Sequence, residues 1–406
     1  MKGMKIAYIT SQTPYGKGEQ FILPEILEVI KKGHDVVVIP VRPEKEIALG
    51  DEPKEVAKFT MHIPLLSLNL ILKSFLIFIK HPLRVVEIIF KILRHSGSLG
   101  KILKNLLIIP KGLVVSEILK KRKINHIHAH WASTPSTLAY IASELTGIPW
   151  SFTAHRWDIA ENNMLREKAR SSNFIRVIDK NGYDEILSYV KEYRDKLYIL
   201  HVGVKVDVNF KKLDLKKANR ALLIAVPANF VVKKGHIYLI QAIKKVIETQ
   251  NCNVYCYFFG KGLLEDELKL TVTQLNLEDR IFFKGQLPHD ELIELYRSGK
   301  IDCVILPSIV TDDGEKEGIP VSLMEAMAHK IPVISTNTGG IPELLEGGAG
   351  IIVEQKNSDE LAKAIMKLIN DEKLREELGE KGFEKIEKEF NLSKIVEELL
   401  YLMGNN

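Results

Sequence analysis

Residues Glu317 to Glu343 read EGIPVSLMEAMAHKIPVISTNTGGIPE. A Gly318-Ile319-Pro320 turn opens a run of strong helix formers, Ser322 to Ala328. A short apolar run, Val333 to Thr336, follows between turn residues, as expected of a buried parallel strand. Helix followed by buried strand is the grammar of a doubly wound α/β sheet. Proline in a first helical turn wastes no hydrogen bond, because that amide would be unpaired anyway. The amides after it, from Val321 on, point ahead of the helix, and the dipole adds partial positive charge there, which makes a diphosphate site. Glu317 lies just before that site. Glu325 lies about a turn and a half inside the helix, where a carboxylate accepts from two neighbouring hydroxyls, as on a ribose. A diphosphate with a sugar on each side is a sugar nucleotide. The spacing alone fits an ordinary amphipathic helix with surface glutamates equally well.

The same alternation extends both ways from this stretch. Ala221 to Val226, Val254 to Gly260, Ile281 to Gly285, Cys303 to Leu306 and Gly350 to Val353 read as strands with helices between them. At the start, Ile6 to Thr10 and Val36 to Val41 flank a helix ending near Gly33, a βαβ unit. Ile124 to Ala129 and Pro149 to Ala154 are further strands. A chain of 406 residues exceeds one core, so two domains of roughly 200 residues are expected. The predicted divisions are 1–204, 205–385, and a terminal segment 386–406 that crosses back to the first domain.

The long stretch LPSIVTDDGEKEGIP through TGGIPE resembles the donor-site signature of the retaining family 4 glycosyltransferases. It is most similar to the branch that makes colanic acid and other exopolysaccharides. That resemblance implies the GT-B fold: α/β, with two Rossmann-like doubly wound parallel-sheet domains facing a central cleft. It also implies transfer from a nucleoside-diphosphate sugar to a glycan or lipid-linked acceptor, with no metal and no other cofactor. Glu317 would then orient the donor sugar and Glu325 the ribose. Gly318, Ile319, Pro320 and Val321 would form the diphosphate turn. In VPANFVVKKGH, Lys234 stands where the family's phosphate-binding lysine is expected, to neutralise the leaving diphosphate. Asn229 stands where arginine is usual, a departure that removes a charge. Gly260 and Gly262 match the family's Gly-x-Gly, and IFFKG with Phe283 matches the segment that receives the base. Asp312, Asp313 and Glu315 read as a solvated loop. Thr338 to Glu343 reads as the pocket floor or a plain turn.

Three loops of the first half complete the expected site. Thr13 to Gln20 carries Gly16 and Gly18, which let a backbone approach a phosphate. The strand HIHAHW places His126, His128 and His130 on one face. Three imidazoles could bind zinc, but the resemblance favours a strand ending in the cleft, with His130 and Trp131 beside the acceptor. FTAHRWDI carries His155, similar to the family's histidine that contacts the transferred sugar, with Asp158 in the turn behind it expected on the acceptor side. No residue reads as a covalent nucleophile, and the departing phosphate is expected to take the acceptor proton. The rival readings are a GT-B sugar-nucleotide epimerase or hydrolase, a hydrolase using the histidine trio as metal ligands, and a non-catalytic binder.

Composition narrows the setting. Apolar residues make up 46% and charged residues 27%, ordinary for a globular protein. Cys252, Cys256 and Cys303 fit no metal spacing and suit a reducing compartment, so a cytoplasmic location is expected. The net charge is +5, yet residues 60–123 hold nine Lys and three Arg against two Glu, leaving about −5 for the rest. That basic segment is also very apolar, and reads as two or three amphipathic helices broken at His81–Pro82 and Gly97 to Gly100. Such helices either lie on an anionic membrane face or pack their apolar sides into the first domain with the lysines in water. Few aromatics sit among these cations, which argues against nucleic acid.

Overall fold

The computed structural model describes residues 3–16, 18–48, 50–210, 221–250 and 253–405. Cys252 lies outside them, while Cys256 and Cys303 are buried free thiols. The chain divides into two compact units, Met1–Gly203 with Leu392–Asn406, and Val204–Asn391. The return to the first unit begins at Leu392 rather than at residue 386. The physical reason is that Leu378 and Ile386 of the Glu372–Glu389 helix pack into second-unit cores.

In the first unit, β1 (Lys5–Thr10), β2 (Asp35–Pro40), β3 (His126–His130), β4 (Trp150–Ala154), β5 (Phe174–Val177) and β6 (Leu197–Ile199) form a parallel sheet ordered β2-β1-β3-β4-β5-β6. In the second, β7 (Leu222–Pro227), β8 (Val254–Phe259), β9 (Ile281–Phe283), β10 (Cys303–Leu306), β11 (Val333–Thr336) and β12 (Ile351–Val353) are ordered β12-β11-β10-β7-β8-β9, also parallel. Both sheets are doubly wound. The winding reverses between β1 and β3 in one and between β7 and β10 in the other, and ligands of such sheets bind beyond the strand ends at that point. These are the two sheets of the GT-B fold.

Local chemistry sets the ends of the elements. The Leu23–Lys31 helix starts with Pro24 and is followed by Gly33 in the left-handed region (φ 87°), which returns the chain to β2. The Leu392–Asn405 helix buries Leu392, Ile395, Val396, Leu399 and Leu400 against Ile6, Tyr8, Ile26 and Val29. That periodic face holds it to the first unit.

The basic segment forms three helices, Leu68–Lys80, Pro82–His95 and Leu99–Arg122, with breaks at the expected proline and glycine. Their inner faces bury Leu70, Ile77, Val85, Ile88, Ile92 and Ile108. Their outer faces are also apolar. Leu68, Ile71, Leu72, Phe75, Leu76 and Ile79 form an exposed stripe at helical spacing on the first, and Leu83, Val86, Phe90 and Leu93 form one on the second. Leu99, Leu103 and Leu107 continue the pattern on the third. Among the described residues, no helix is long and apolar enough to cross a membrane.

Candidate functional site

The winding reversal of the second sheet brings the loops after β7 and β10 together. Backbone contacts knit them: Ile309 N–H donates to Lys233 O at 2.8 Å. A Cβ on Gly235 would lie 2.0 Å from Pro307 O, so only glycine, already left-handed at φ 63°, lets the two loops touch. This approach sets Lys234 Nζ 3.0 Å from Glu317 Oε2, with both side chains mostly buried. Lys233 reaches Glu315 at 2.5 Å. The Val321–Ala328 helix starts directly behind, with Pro320 as its N-cap residue, one position earlier than a first-turn proline. The cap residue's side chain accepts from none of the opening amides, and those of Leu323 and Met324 donate to Pro320 O. An arriving diphosphate would compete with Glu317 for Lys234.

Glu325 stands on the same helix with its carboxylate 2.7 Å from His289 Nε2. His289 is a partner that spacing gave no sign of. Gly340 N–H donates to Gly318 O at 3.2 Å, and a Cβ there would press on Ile319 and Gly318. The TGGIPE turn therefore packs against the Gly318-Ile319-Pro320 turn. Asn229 is exposed in the loop after β7. Gly260 and Gly262 face the chain itself: added Cβ atoms would meet Ala228 O at 2.1 Å and Phe230 O at 2.4 Å. These glycines set the position of the Asn229 loop, which accounts for them without a ligand. Phe283 packs among Phe230 and Phe258, with Lys269 Nζ 5.6 Å above its ring. Asp312 and Asp313 are exposed, with Asp313 accepting from Thr311.

In the first unit, the loop after β1 is closed on its own carboxylate. Buried Glu19 accepts from the amides of Ser11 (3.1 Å), Gln12 (2.7 Å) and Thr13 (2.8 Å), and from Trp131 Nε1–H. The loop of Gly16 and Gly18 was expected to offer its backbone to phosphate, but here its leading amides already hold an anion. Gly16 is explained by Gln12, whose side chain a Cβ would strike at 2.3 Å.

Trp131 follows β3 in the left-handed region (φ 81°), unusual for a bulky residue. Two buried groups fix the turn next to it. Asp158 accepts from Ala132 N–H at 2.6 Å and from His155 N–H at 2.9 Å. Lys168 Nζ donates to Ala132 O at 2.7 Å and Ser133 O at 2.8 Å. Burial pushes Asp158 up to about 7 and Lys168 down to about 7. Asp158, expected beside the acceptor, is thus a backbone clamp. His155 follows β4, and its ring lies 4.2 Å from that of Trp131. Burial holds the imidazole well below its usual pKa, so it is neutral near pH 7, and its Nε2 has no partner among the described residues.

His126, His128 and His130 are all buried on β3. His126 Nε2 and His128 Nδ1 share Ser151 Oγ at 2.7 and 2.8 Å, and His128 Nε2 meets Thr153 Oγ1 at 2.9 Å. His130 Nε2 lies 3.0 Å from Glu25 Oε1 rather than facing solvent. The three groups that converge within 4.8 Å are Glu25, His128 and His130, without His126. Arg176 holds the other oxygen of Glu25. Burial alone would raise the Glu25 carboxyl, but Arg176 and His130 hold it well below the usual range. A fixed guanidinium already balances this carboxylate, and the imidazoles of the strand form a buried hydrogen-bond network beside it. Sequence reasoning missed Glu19, Glu25, Lys168 and Arg176. Only Arg176 left a signal: a charge inside the apolar strand FIRV must find a buried partner.

Comparison with known proteins agrees with this geometry. Residues 207–385 match the family described as glycosyl transferases group 1. The chain is 27% identical to the amylovoran biosynthesis glycosyltransferase AmsK of Erwinia amylovora, over 98% of this chain and 100% of that protein. It is 34% identical to the putative colanic acid biosynthesis glycosyltransferase WcaL of Escherichia coli, over 52% and 51%. Among solved structures, a glycosyltransferase from Rickettsia africae aligns over 99% of this chain and 98% of that one, with TM-score 0.72 and 20% identity. HepE from Anabaena in complex with UDP aligns over 99% and 100%, with TM-score 0.70 and 17% identity.

Proposed function

We propose that this chain, a group 1 glycosyltransferase of GT-B fold, moves a sugar from a nucleoside-diphosphate sugar to a growing glycan of exopolysaccharide type, with retention of configuration and without a metal. The observation that carries the reading is the Lys234–Glu317 pair at 3.0 Å, set before the Val321–Ala328 helix at the winding reversal of the second sheet. Breaking a sugar–phosphate bond develops negative charge on the diphosphate. Lys234 and the opening amides of the helix stabilise it, and in a dry site such preorganised donors are worth far more than in water. Once Lys234 turns to phosphate, the Glu317 carboxylate is released to accept from hydroxyls of the donor sugar. Glu325 takes the ribose in exchange for His289. In the first unit, neutral His155 offers its Nε2 to a sugar hydroxyl. The departing phosphate takes the acceptor proton. The similarity to amylovoran and colanic acid enzymes supports a polysaccharide product, and the UDP bound by HepE supports a nucleoside diphosphate as the donor's leaving group.

The apolar stripes of the three basic helices support a peripheral position on the inner face of an anionic membrane, where a lipid-linked acceptor is presented. Thirteen large apolar side chains on those helices face solvent, from Leu68 to Leu107, with Lys73, Lys80, Arg84 and Arg94 exposed among them. A patch of that kind on a monomer marks an interaction surface.

The test is thermal stabilisation by UDP, GDP, ADP and CMP and by their sugar conjugates, with EDTA present. Saturation at about 100 times the dissociation constant adds roughly 2.7 kcal/mol. We expect one base to shift the transition without metal. A chain that responds to none of them, or only after divalent metal is restored, would overturn the donor reading.

A further inference from the structure

We propose that Trp157, packed at a tilt against Trp131, is a platform for a pyranose ring of the acceptor glycan, one removed from the sugar that reacts. The inference rests on the transferase reading of the site but is carried by its own geometry. Three rings form a ladder leading out of the first unit at the ends of β3 and β4. His155 and Trp131 lie 4.2 Å apart with planes tilted by 38°, and Trp131 and Trp157 lie 5.2 Å apart, tilted by 32°. Phe21 braces the inner two rungs edge-on, at 5.9 Å from Trp131 and 5.2 Å from His155. The ladder runs from a buried imidazole, 5% exposed, to an indole 58% exposed.

This arrangement is built and costly to keep. Trp131 holds a left-handed backbone, its indole N–H is fixed by Glu19, and the turn after it is clamped by Asp158 and Lys168. Asn162 and Met164, just beyond Trp157, are also left-handed without being glycine. Asn162 is the ordinary left-handed cap of the Trp157–Glu161 helix, whereas Trp131, itself a rung, is bulky, and strain of that kind gathers at ligand sites. A tryptophan kept for stability would be buried, since its burial is among the largest apolar gains a side chain makes. Trp157 is instead presented to solvent, with its ring backed by that of Trp131.

The shape and chemistry of the face select the occupant. A pyranose carries C–H groups on one face and hydroxyls around its rim. The C–H face meets the negative face of an indole, and the hydroxyls stay in water or reach polar groups at the edge. The unpartnered Nε2 of His155 marks the inner end of the ladder for the reacting sugar. The outer indole lies two ring-to-ring steps away, so the ring it holds belongs further along the acceptor.

The chain contains three tryptophans, Trp131, Trp150 and Trp157, which makes the test direct. Labelling with 5-fluorotryptophan gives one fluorine resonance for each. Trp150 is 1% exposed in the core and serves as the internal control. The full chain is titrated with maltohexaose, cellohexaose, mannohexaose and galactohexaose into the tens of millimolar, where weak single-ring stacking is visible. At least one hexasaccharide should move Trp157 most, Trp131 less, and leave Trp150 still. Trp157→Ala should weaken that binding about tenfold or more, and Trp157→Phe should keep it within a few-fold. An unmoved Trp157 across the panel, equal binding by Trp157→Ala, or a response only to phosphatidylglycerol vesicles would each overturn the platform. Nucleotide-induced stabilisation is measured in parallel. Saccharide binding without any nucleotide response removes the transferase reading and leaves the platform, while the reverse removes the platform alone.

Discussion

The two units share a topology and bury opposite things. The first unit places ionisable groups inside: Glu25 with Arg176, three histidines on β3, Lys111 and Lys168 bonded to carbonyls, and Asp158 on amides. It turns apolar stripes outward on its three basic helices. The second unit keeps an apolar sheet and sets its charges at the strand ends, where Lys234 meets Glu317 and Glu325 meets His289. Buried charges of the first kind hold backbone turns in place. Charges of the second kind pair with one another at the strand ends. Topology therefore fixed where a site could be, and the choice of buried against rim charge decided what each site does.

The sharpest break in that contrast is at Glu317 and Lys234. Glu317→Ala and Lys234→Ala should each cut transfer by a factor on the order of 10² to 10³ with the unfolding transition little changed. Wild-type turnover in Glu317→Ala, measured as nucleotide release with acceptor present, would remove the rim charges from the chemistry. Next in size is the outward apolar face. Replacing Leu72, Phe75 and Leu76 together with Glu should lower partition onto anionic vesicles by about a hundredfold, read by sedimentation, with nucleotide stabilisation retained.

Acid should separate the units. Burial lowers His126 to about 3 and holds His128 and His155 well below their usual value in the first unit, and lowers His236 to about 3 in the second. A neutral buried histidine binds no proton at a pH where the unfolded chain does. Stability from these histidines is therefore whole above about pH 6.5 and is lost as pH falls, by at most roughly 2 kcal/mol each down to pH 5, and proton uptake by Asp158, pushed up to about 7, offsets about one of the first unit's three. All three tryptophans lie in the first unit, so urea unfolding followed by indole fluorescence should lose midpoint faster between pH 7 and 5 than far-ultraviolet dichroism, which reads both units. Equal losses would mean the buried histidines do not distinguish them. The smallest effect is at Asn229. Asn229→Arg restores a cation at an exposed position and should tighten nucleoside diphosphate binding about three- to tenfold by calorimetry.

Much of this was legible in the sequence. Cys303–Leu306 and Val333–Thr336 are strands at the residues expected, because short apolar runs between turn residues leave little choice. The three basic helices break where Pro82 and Gly97 stand, since neither continues a helix. β5 and β6 were not seen. They are four and three residues long, and the first carries Arg176 where an apolar residue would mark a strand. Glu19 and Lys168 were invisible for another reason. A side chain that bonds backbone far from itself leaves no periodicity, and nothing in the letters distinguishes it from a surface charge. Gly260 and Gly262 show the converse: they matched the family's Gly-x-Gly, but their missing side chains make room for the carbonyls of Ala228 and Phe230.

The return of the Leu392–Asn405 helix to the first unit has a consequence for synthesis. The chain leaves that unit after Gly203 and comes back only at Leu392. While the ribosome makes residues 204–391, the surface formed by Ile6, Tyr8, Ile26 and Val29 waits without its cover. The second unit, continuous in sequence, has all its parts before the first does. The amino-terminal unit is therefore the later of the two to finish, and during that interval an open apolar surface stands beside the still-growing chain, a natural site for a chaperone to hold.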